Sequence, residues 1–536
     1  MMLPEDMRLW VGKDHLVWFV IDVVDGLEMT ALEGLGKPGK GRRGHDPAML
    51  AVLLIYAYLQ GERSSRRIEE RCRTDAAFRV ATGNVVPDHS TICRFRAAAA
   101  AAGGPLEGVF CRVLFVLAAA GLGRLDVISV DGSKVWASAS KEANRTEAGL
   151  RKLARKILEE AARADGDGCA CGGHGHGEAA GLPAPDSCGC CDGGTLPGLG
   201  LDGPAVPRHG WGGASRARRI AAGLAELEAA RAGRERERRA AAEAYLAAAS
   251  AGTAPRGGIP AEVAVDAARL RLEQALASQA ALDAGYAGRG HRKPGRRRQE
   301  AEGYQARRAR ARLAAAEARA RQERDREGKD PGKKDKEPVR NITDPDSRLM
   351  HCTLRGLVQA YNAQARRTRD GVFLLPRVVQ DVNDARQAVT AISDIAASAA
   401  IIAAGHAAAG HPAAWSRPGT ILFDPGYFST ANIQLPGPDR LIAPGGGWKE
   451  TTPRHHPGCD HDGDPLAQMA HNMATRQGRD LYRNRAPLSE GGFADLKQRT
   501  GLRQFAMRGI AKAQGELLLA CTALNIHLLY RRTRLA

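Results

Sequence analysis

Aromatic residues are scarce in this sequence and make up only 5% of its 536 residues. Hydrophobic residues reach 43%, which fits a globular protein, but much of that share is alanine. Alanine favours helices more than it fills a core, so we expect part of the chain to be helical and thinly packed. The length exceeds the size at which one hydrophobic core stops growing, and at least two structural units are therefore expected.

Long uninterrupted apolar runs are also missing. The longest stretches, such as C-R-V-L-F-V-L-A-A-A-G-L-G and the segment around Ile401, are too short or carry charge. A membrane-spanning helix needs ~20 apolar residues, so none is expected. The chain begins M-M-L-P-E-D, which is acidic where a signal peptide is basic. These absences predict a cytoplasmic protein without a membrane partner.

Cysteines are few and unevenly placed. Their number, eleven, is odd, which in a reducing compartment favours thiols or metal ligands over disulfides. Seven soft ligands crowd into one segment: Cys169, Cys171, His174, His176, Cys188, Cys190 and Cys191. Their C-x-C and C-x-C-C spacings depart from the usual C-x2-C, so a structural Zn²⁺ and a glycine-rich loop of reactive thiols both stay open. A second group, His455, His456, Cys459 and His461, is open between a metal site and a DNA-facing loop.

Positive charge is abundant: the formal net charge is +18 and the sequence pI is about 9.7. Lys and Arg release counterions when they neutralise phosphates, so nucleic acid is the favoured partner. Residues 289–340 hold nineteen Lys or Arg against nine Asp or Glu, more than half of the whole surplus. Arg296, Arg297 and Arg298 suggest an arm that contacts phosphates. A solvated helix with many i, i+4 pairs is the equal alternative.

The first part of the chain has the pattern of helices. Asp88 or Ser90 can cap a short helix that carries Arg94 and Arg96. A helix, a turn and a basic helix form a common arrangement for gripping DNA. The alternative is a charged face that is merely solvated.

Four segments follow from composition and periodicity. Residues 1–120 form an all-α N-terminal domain, and residues 121–144 hold a strand that ends at Asp131. Residues 145–338 are rich in Ala, Arg, Glu and Gly and form an insertion, with helices expected near 147–164, 215–249 and 260–284. Residues 339–536 return to strands and helices. The fold class is therefore mixed α/β, with one sheet interrupted by a long helical, basic insertion.

Three carboxylates carry the candidate chemistry. Asp131 and Asp424 each close a short apolar run, and ligands collect at the carboxyl ends of strands in open α/β sheets. Glu490 shares a helix face with Phe493 and Lys497 at i+3 and i+7. Three convergent carboxylates repel one another and become favourable when divalent cations neutralise them. Two Mg²⁺ ions are expected, with Mn²⁺ as a substitute, in a phosphoryl-transfer site.

Basic and aromatic residues near Glu490 fit the same chemistry. Tyr482, Arg485 and Lys497 would hold DNA phosphates, Arg by bidentate contacts and Lys as a point charge. A single aspartate at a strand end is more often a loop cap. The combination of three carboxylates with these residues favours a catalytic site.

The spacing Y-x2-R-x4-E-x6-K closely resembles the signature of insertion-sequence DDE transposases of the Y-R-E-K type. V-D-G-S-K-V-W-A-S-A-S and D-P-G-Y-F resemble the first- and second-aspartate blocks of that family. G-H-D-P-A-M-L-A-V-L-L-I-Y-A-Y-L and P-D-H-S-T-I-C-R-F-R are similar to its N-terminal helical domain. The ordered matches cover nearly everything except roughly 145–338.

The resemblance implies an RNase H-like core with flanking helices and a protein that binds the terminal inverted repeats of its element. It implies that Asp131, Asp424 and Glu490 are catalytic metal ligands. It further implies Mg²⁺-dependent strand cleavage and strand transfer on double-stranded DNA, in a homodimer or larger synaptic complex at a prokaryotic nucleoid. The alternatives are a related DNA nuclease without strand joining and an inactive DNA-binding relic.

Overall fold

The computed structural model describes residues 6–27, 32, 44–100, 105–166, 213–251, 263–287, 303–329, 338–352, 356–445 and 464–535. The chain forms two compact units. The first joins residues 1–144 to residues 340–536, and the second consists of residues 145–339.

Within the described residues, six α-helices precede the sheet of the first unit: α1 (Leu16–Asp25), α2 (Pro47–Leu59), α3 (Ser65–Thr74), α4 (Ala76–Ala81), α5 (His89–Ala99) and α6 (Pro105–Ala119). Pro47 occupies the first turn of α2, where its missing N–H costs nothing, and the Asp46 carboxylate caps that helix. Asp88 caps α5 through the Ser90 N–H at 2.8 Å. Because α2 is apolar on nearly every face, its middle is buried on all sides.

The sheet has six strands: β1 (Val127–Trp136), β4 (Arg348–Cys352), β5 (Gly356–Thr368), β6 (Arg377–Val379), β7 (Thr420–Phe423) and β8 (Arg440–Ile442). Two-residue strands, β2 (Asn144–Arg145) and β3 (Arg340–Asn341), stand at the two ends of the insertion. The sheet order is β4-β5-β1-β7-β8, and β6 also pairs with β5. β5 is antiparallel to β1, whereas β7 and β8 run parallel to β1.

The sequence predicts two strands, one helix, two strands and a final helix after the insertion, and the structure agrees in outline: β5 and β6 precede a long helix, β7 and β8 follow it, and a helix closes the chain. It also contains the strands β3 and β4 and further helices after β7. The helices of this part are α11 (Ala388–Ala408), α12 (Thr430–Ile433), α13 (Pro465–Ala474), α14 (Arg476–Tyr482), α15 (Arg485–Gln498) and α16 (Ile510–Leu535). α16 packs against α2 and α6, so the N-terminal helices and the sheet belong to one unit.

A buried ion pair ties β5 to α11. Arg366 on β5 is 0% exposed, and its Nη2 lies 3.0 Å from Oδ2 of Asp394 on α11. Its Nη1 also donates to the Leu375 carbonyl at 2.8 Å. Arg377 on β6 forms a second, half-buried contact with Asp394 at 3.0 Å. The Asp394 carboxylate therefore supports two neighbouring strands at once.

α11 is the one helix, within the described part of the chain, that is long and apolar enough to cross a bilayer. Its apolar side chains Ile395 and Ile402 are fully buried in the protein core, and the helix packs against α6. Such burial is typical of a core helix.

The second unit is helical where it is described, with α7 (Glu147–Gly166), α8 (Gly213–Ser250), α9 (Ala264–Ala287) and α10 (Tyr304–Lys329). The three helices predicted in the insertion are confirmed within a few residues. Glu147 on α7 holds Arg231 on α8 at 2.5 Å and Arg151 of its own helix at 3.0 Å. α10 was not predicted as a separate helix, since its many arginines also suit an arm.

Candidate active site

The two aspartates lie where β1 passes the end of β7. β7 pairs with β1 only through Val127–Ser129, so Asp131 stands two residues beyond the last pair. The prediction that Asp131 ends its strand is wrong, because β5 continues to pair with β1 as far as Trp136. Asp424 directly follows β7, and its Oδ1 accepts the Gly426 N–H at 2.9 Å. The strand end is thus supplied by β7, not by β1.

Arg485, at the start of α15, joins the two aspartates. Its Nη2 lies 3.2 Å from Oδ2 of Asp131 and 3.9 Å from Oδ2 of Asp424. The buried Nε of Arg485 has no hydrogen-bond partner within the described chain. One cation therefore bridges two carboxylates that stand 293 positions apart in the sequence.

The surroundings of the two aspartates disfavour their negative charge. Burial, together with the Asp424 carboxylate, raises the pKa of Asp131 to about 6, although the Arg485 guanidinium acts in the opposite direction. Burial likewise raises the pKa of Asp424. Carboxylates in such a site gain from any further positive charge, including that of a divalent cation.

Side chains of α15 contact β1 along its length. Ser489 Oγ and Ser129 Oγ are hydrogen-bonded at 2.5 Å, and Lys497 Nζ donates to Ser133 Oγ at 2.7 Å. Residues 129, 131 and 133 alternate with the strand period and therefore share one face of β1. α15 contacts this face of β1 from Arg485 at one end of the helix to Lys497 at the other. Burial lowers the pKa of Lys497.

Tyr482, the last residue of α14, supports the end of β7. Its hydroxyl donates to the Phe423 carbonyl at 2.9 Å, one residue before Asp424. Burial raises the pKa of Tyr482 to about 12. The phenol therefore stays protonated and helps to place the second aspartate.

Glu490 does not meet the two aspartates in this structure. It is an exposed residue of α15, next to Ser489, which contacts β1. Among the described residues, the one group of three potential ligands within 4.8 Å of one another is Glu69, Asp88 and His89. The repulsion between three carboxylates offers a physical reason why Glu490 stays apart from Asp131 and Asp424. The Glu69 group is already used, since Glu69 binds Arg73 and His89 while Asp88 caps α5.

Two residues of the site escaped the sequence analysis. Lys134 lies three residues after Asp131, and Asp384 lies between β6 and α11. Their side chains approach to 3.9 Å. The available signal was a pair of amides, Asn362 and Gln364, in the otherwise apolar middle of β5, because buried amides require partners.

The two arginines expected to contact DNA from α5 have different surroundings. Arg94 is exposed, and among the described residues its guanidinium reaches only Ser90 of its own helix. Arg96 is 4% exposed, and its Nη1 donates to the Arg63 carbonyl at 2.6 Å. The predicted DNA contact of Arg96 is therefore wrong, since its guanidinium is buried and binds the turn before α3.

Several expected ligands lie outside the described residues. These are the triplet Arg296, Arg297 and Arg298, the group Cys169, Cys171, His174, His176, Cys188, Cys190 and Cys191, and the second group His455, His456, Cys459 and His461. Their proposed phosphate and zinc roles stay predictions.

Two comparisons with known families agree with the site. Residues 5–98 match a family described as a transposase domain (DUF772). Residues 451–530, which include Tyr482, Arg485, Glu490 and Lys497, match a family described as a transposase DDE domain. No curated protein and no solved structure matches the chain.

The C-terminal match indicates an enzyme of the DDE transposase class. Together with the transposase-domain match at the N-terminal end, it supports an insertion-sequence DDE transposase.

Proposed function

We propose that this transposase binds the terminal inverted repeats of its insertion sequence and catalyses Mg²⁺-dependent cleavage and strand transfer at them. The observation that carries the proposal is the meeting of Asp131 and Asp424 on one guanidinium, beside a helix that carries Glu490. Aspartates that far apart in sequence converge because β1 and β7 are neighbours.

The core is proposed to be RNase H-like. Across the sheet, five strands stand in the order β6, β5, β1, β7, β8. Numbered by their order in the chain, the strands therefore stand in the order 3-2-1-4-5. The first three are antiparallel, and the last two run parallel to β1 with α11 placed before β7. This is the arrangement expected of an RNase H-like core, with β4 as an added edge segment.

The donor set fits divalent cations. Asp131 and Asp424 offer carboxylate oxygens, the ligands that Mg²⁺ and Mn²⁺ prefer, and burial raises the pKa of both carboxylates despite the neighbouring Arg485. Glu490 supplies the third ligand once a cation offsets the repulsion between carboxylates. Two such ions would polarise the scissile phosphate and neutralise the charge that develops on it.

DNA phosphates are proposed to bind the cations of the same helix. Arg485 presents an unpartnered buried Nε, which a phosphate oxygen would satisfy. Lys497 lies two turns from Glu490 on α15 and already reaches β1. Arg94 on α5 is exposed and is proposed as a further phosphate contact.

Partners and location follow from this activity. Two element ends must be held together during strand transfer, so we propose a homodimer or larger assembly on double-stranded DNA. The enzyme would work at the nucleoid of a prokaryotic cytoplasm. The cysteine and histidine cluster of the insertion is proposed as a zinc site only as the weaker of its two alternatives.

The test is cleavage of a duplex that carries the element end, with Mg²⁺, by the full chain and by Asp131→Asn, Asp424→Asn and Glu490→Gln. Each substitution should abolish cleavage while binding of the duplex persists. Retained cleavage in any of them would sink the assignment of that residue. Joining of the cut end to a target duplex separates a transposase from a nuclease that shares the same site.

A further inference from the structure

Lys134 on β1 carries an ammonium group whose donors are unused. Its side chain is 19% exposed, and the closest carboxylate oxygen, Oδ1 of Asp384, lies 3.9 Å away. That distance holds an ion pair but is too long for a hydrogen bond. Within the described chain the Lys134 side chain makes no hydrogen bond. A half-buried ammonium with free N–H donors is therefore held in the site.

Asp384 is fixed on the other side of the pair. Its Oδ1 accepts N–H bonds from the side chains of Asn362, at 2.7 Å, and Gln364, at 2.6 Å. Both amides are 0% exposed on β5. The Gln364 Oε1 accepts the Tyr427 hydroxyl at 2.7 Å. The carboxylate thus belongs to a saturated polar network that reaches the turn after β7.

Gly132 makes room for this network. A Cβ at Gly132 would lie 2.8 Å from Oδ1 of Asn362 and would overlap the side chains of Gln364 and Asp384. The residue directly after Asp131 must therefore lack a side chain. The network and the first catalytic aspartate are built into the same stretch of β1.

The charge around Lys134 shows what its ammonium can bind. Burial lowers the pKa of Lys134, whereas the carboxylates of Asp384, Asp424 and Asp131 act in the opposite direction and favour the charged ammonium. Among the described residues no carboxylate oxygen comes within hydrogen-bond distance of the Lys134 ammonium. The ammonium therefore balances the charge of all three carboxylates while its N–H donors stay available. An anion that enters the site would find three free N–H donors beside the two catalytic aspartates. The anion that the enzyme handles there is a DNA phosphate.

We propose that Lys134 binds a phosphate oxygen of the DNA strand at the cleavage position, and that Asp384 is the positioning residue that holds Lys134 in place. The inference rests on the proposed function and adds a substrate contact that the Y-R-E-K residues do not supply. Asp384 acts through Lys134 and does not touch the DNA.

The first test uses Lys134→Met, which keeps the length of the side chain and removes its charge. Affinity for the end-containing duplex is measured against salt concentration in the full chain. Loss of one phosphate contact should reduce the slope of log Kobs against log [salt] by about 0.9. The single-turnover cleavage rate should fall by roughly 10- to 100-fold at saturating Mg²⁺, as expected for a charged hydrogen bond. Lys134→Arg should restore the slope.

Lys512→Met is the matched control, since it removes an equal charge from an exposed position on α16 and should leave the cleavage rate unchanged. An unchanged salt slope together with wild-type cleavage in Lys134→Met would overturn the proposal and leave Lys134 as a counter-ion only. Equal melting temperatures of the variants and the parent chain establish that the fold is intact.

The second test is a double-mutant cycle with Asp384→Asn, which keeps an oxygen for the two amides. If Asp384 acts through Lys134, this substitution slows cleavage in the parent chain and has no further effect in Lys134→Met. An equal loss in both backgrounds would overturn the positioning role. Asp131→Asn is measured in parallel, because its retained activity would refute the proposed function itself and not only this inference.

Discussion

The substitution Asp394→Asn should destabilise the first unit far more than an ordinary charge removal. Arg366 is fully buried, and Asp394, 5% exposed, is its only partner of opposite charge among the described residues. Asparagine leaves that guanidinium with the Leu375 carbonyl alone. Breaking a buried pair by removing one partner costs about 3–5 kcal/mol. Arg377 contributes little to this cost, since it is half-buried and can regain water.

The assay is thermal unfolding of the full chain, followed by circular dichroism. At about 2 °C per kcal/mol, which suits large domains, the melting temperature should fall by roughly 6–10 °C. Asp480→Asn is the control, because Asp480 forms only exposed pairs with Arg476 and Arg483 that are worth about 0–1 kcal/mol. A fall no larger than that of the control would refute the reasoning about the buried pair.

Two further predictions concern α6 and α11. Gly405→Ala should destabilise the protein by about 1–3 kcal/mol, because the new methyl would lie 2.7 Å from the Ala118 Cβ and would clash with the Phe115 carbonyl. Gly108→Ala is the control: a methyl there has nothing within 4 Å and should stabilise the protein by about 0.5–1 kcal/mol. Equal shifts in melting temperature for the two variants would contradict this packing. His406 is 1% exposed and bonded to Leu122 O and Ser416, and burial lowers its pKa. The unfolded chain therefore takes up the proton first, so stability should fall as pH drops below about 6.5, and His406→Gln should lose less melting temperature between pH 7.5 and 5.5 than the parent chain.

Much of the candidate site could be predicted from the sequence, because short apolar runs that end in aspartate are strong local signals. The tertiary contacts could not. Asp131 looked like a strand end, yet β5 extends its strand to Trp136, a pairing that depends on residues more than 220 positions away. Arg96 looked like a surface cation, because the local pattern does not reveal the carbonyl of Arg63 that it binds.

The pair Lys134 and Asp384 escaped prediction for the same reason. Asp384 lies in the polar run D-V-N-D, which reads as an ordinary turn before a helix. Only the register of β5 against β1, which sets Gln364 opposite Gly132 and Asn362 opposite Lys134, brings it to the site. A sequence pattern indicates which face of a strand or helix is buried, whereas the pairing register between two strands depends on how the whole sheet packs.

Glu490 is proposed to join Asp131 and Asp424 as a ligand of divalent cations, although the structure keeps it apart from them. The most direct measurement is end cleavage by Glu490→Cys with Mg²⁺ and with Mn²⁺, since a thiolate accepts Mn²⁺ more readily than Mg²⁺. We expect no cleavage with Mg²⁺ and a measurable recovery with Mn²⁺. Cleavage with Mg²⁺ at the rate of the parent chain would contradict it.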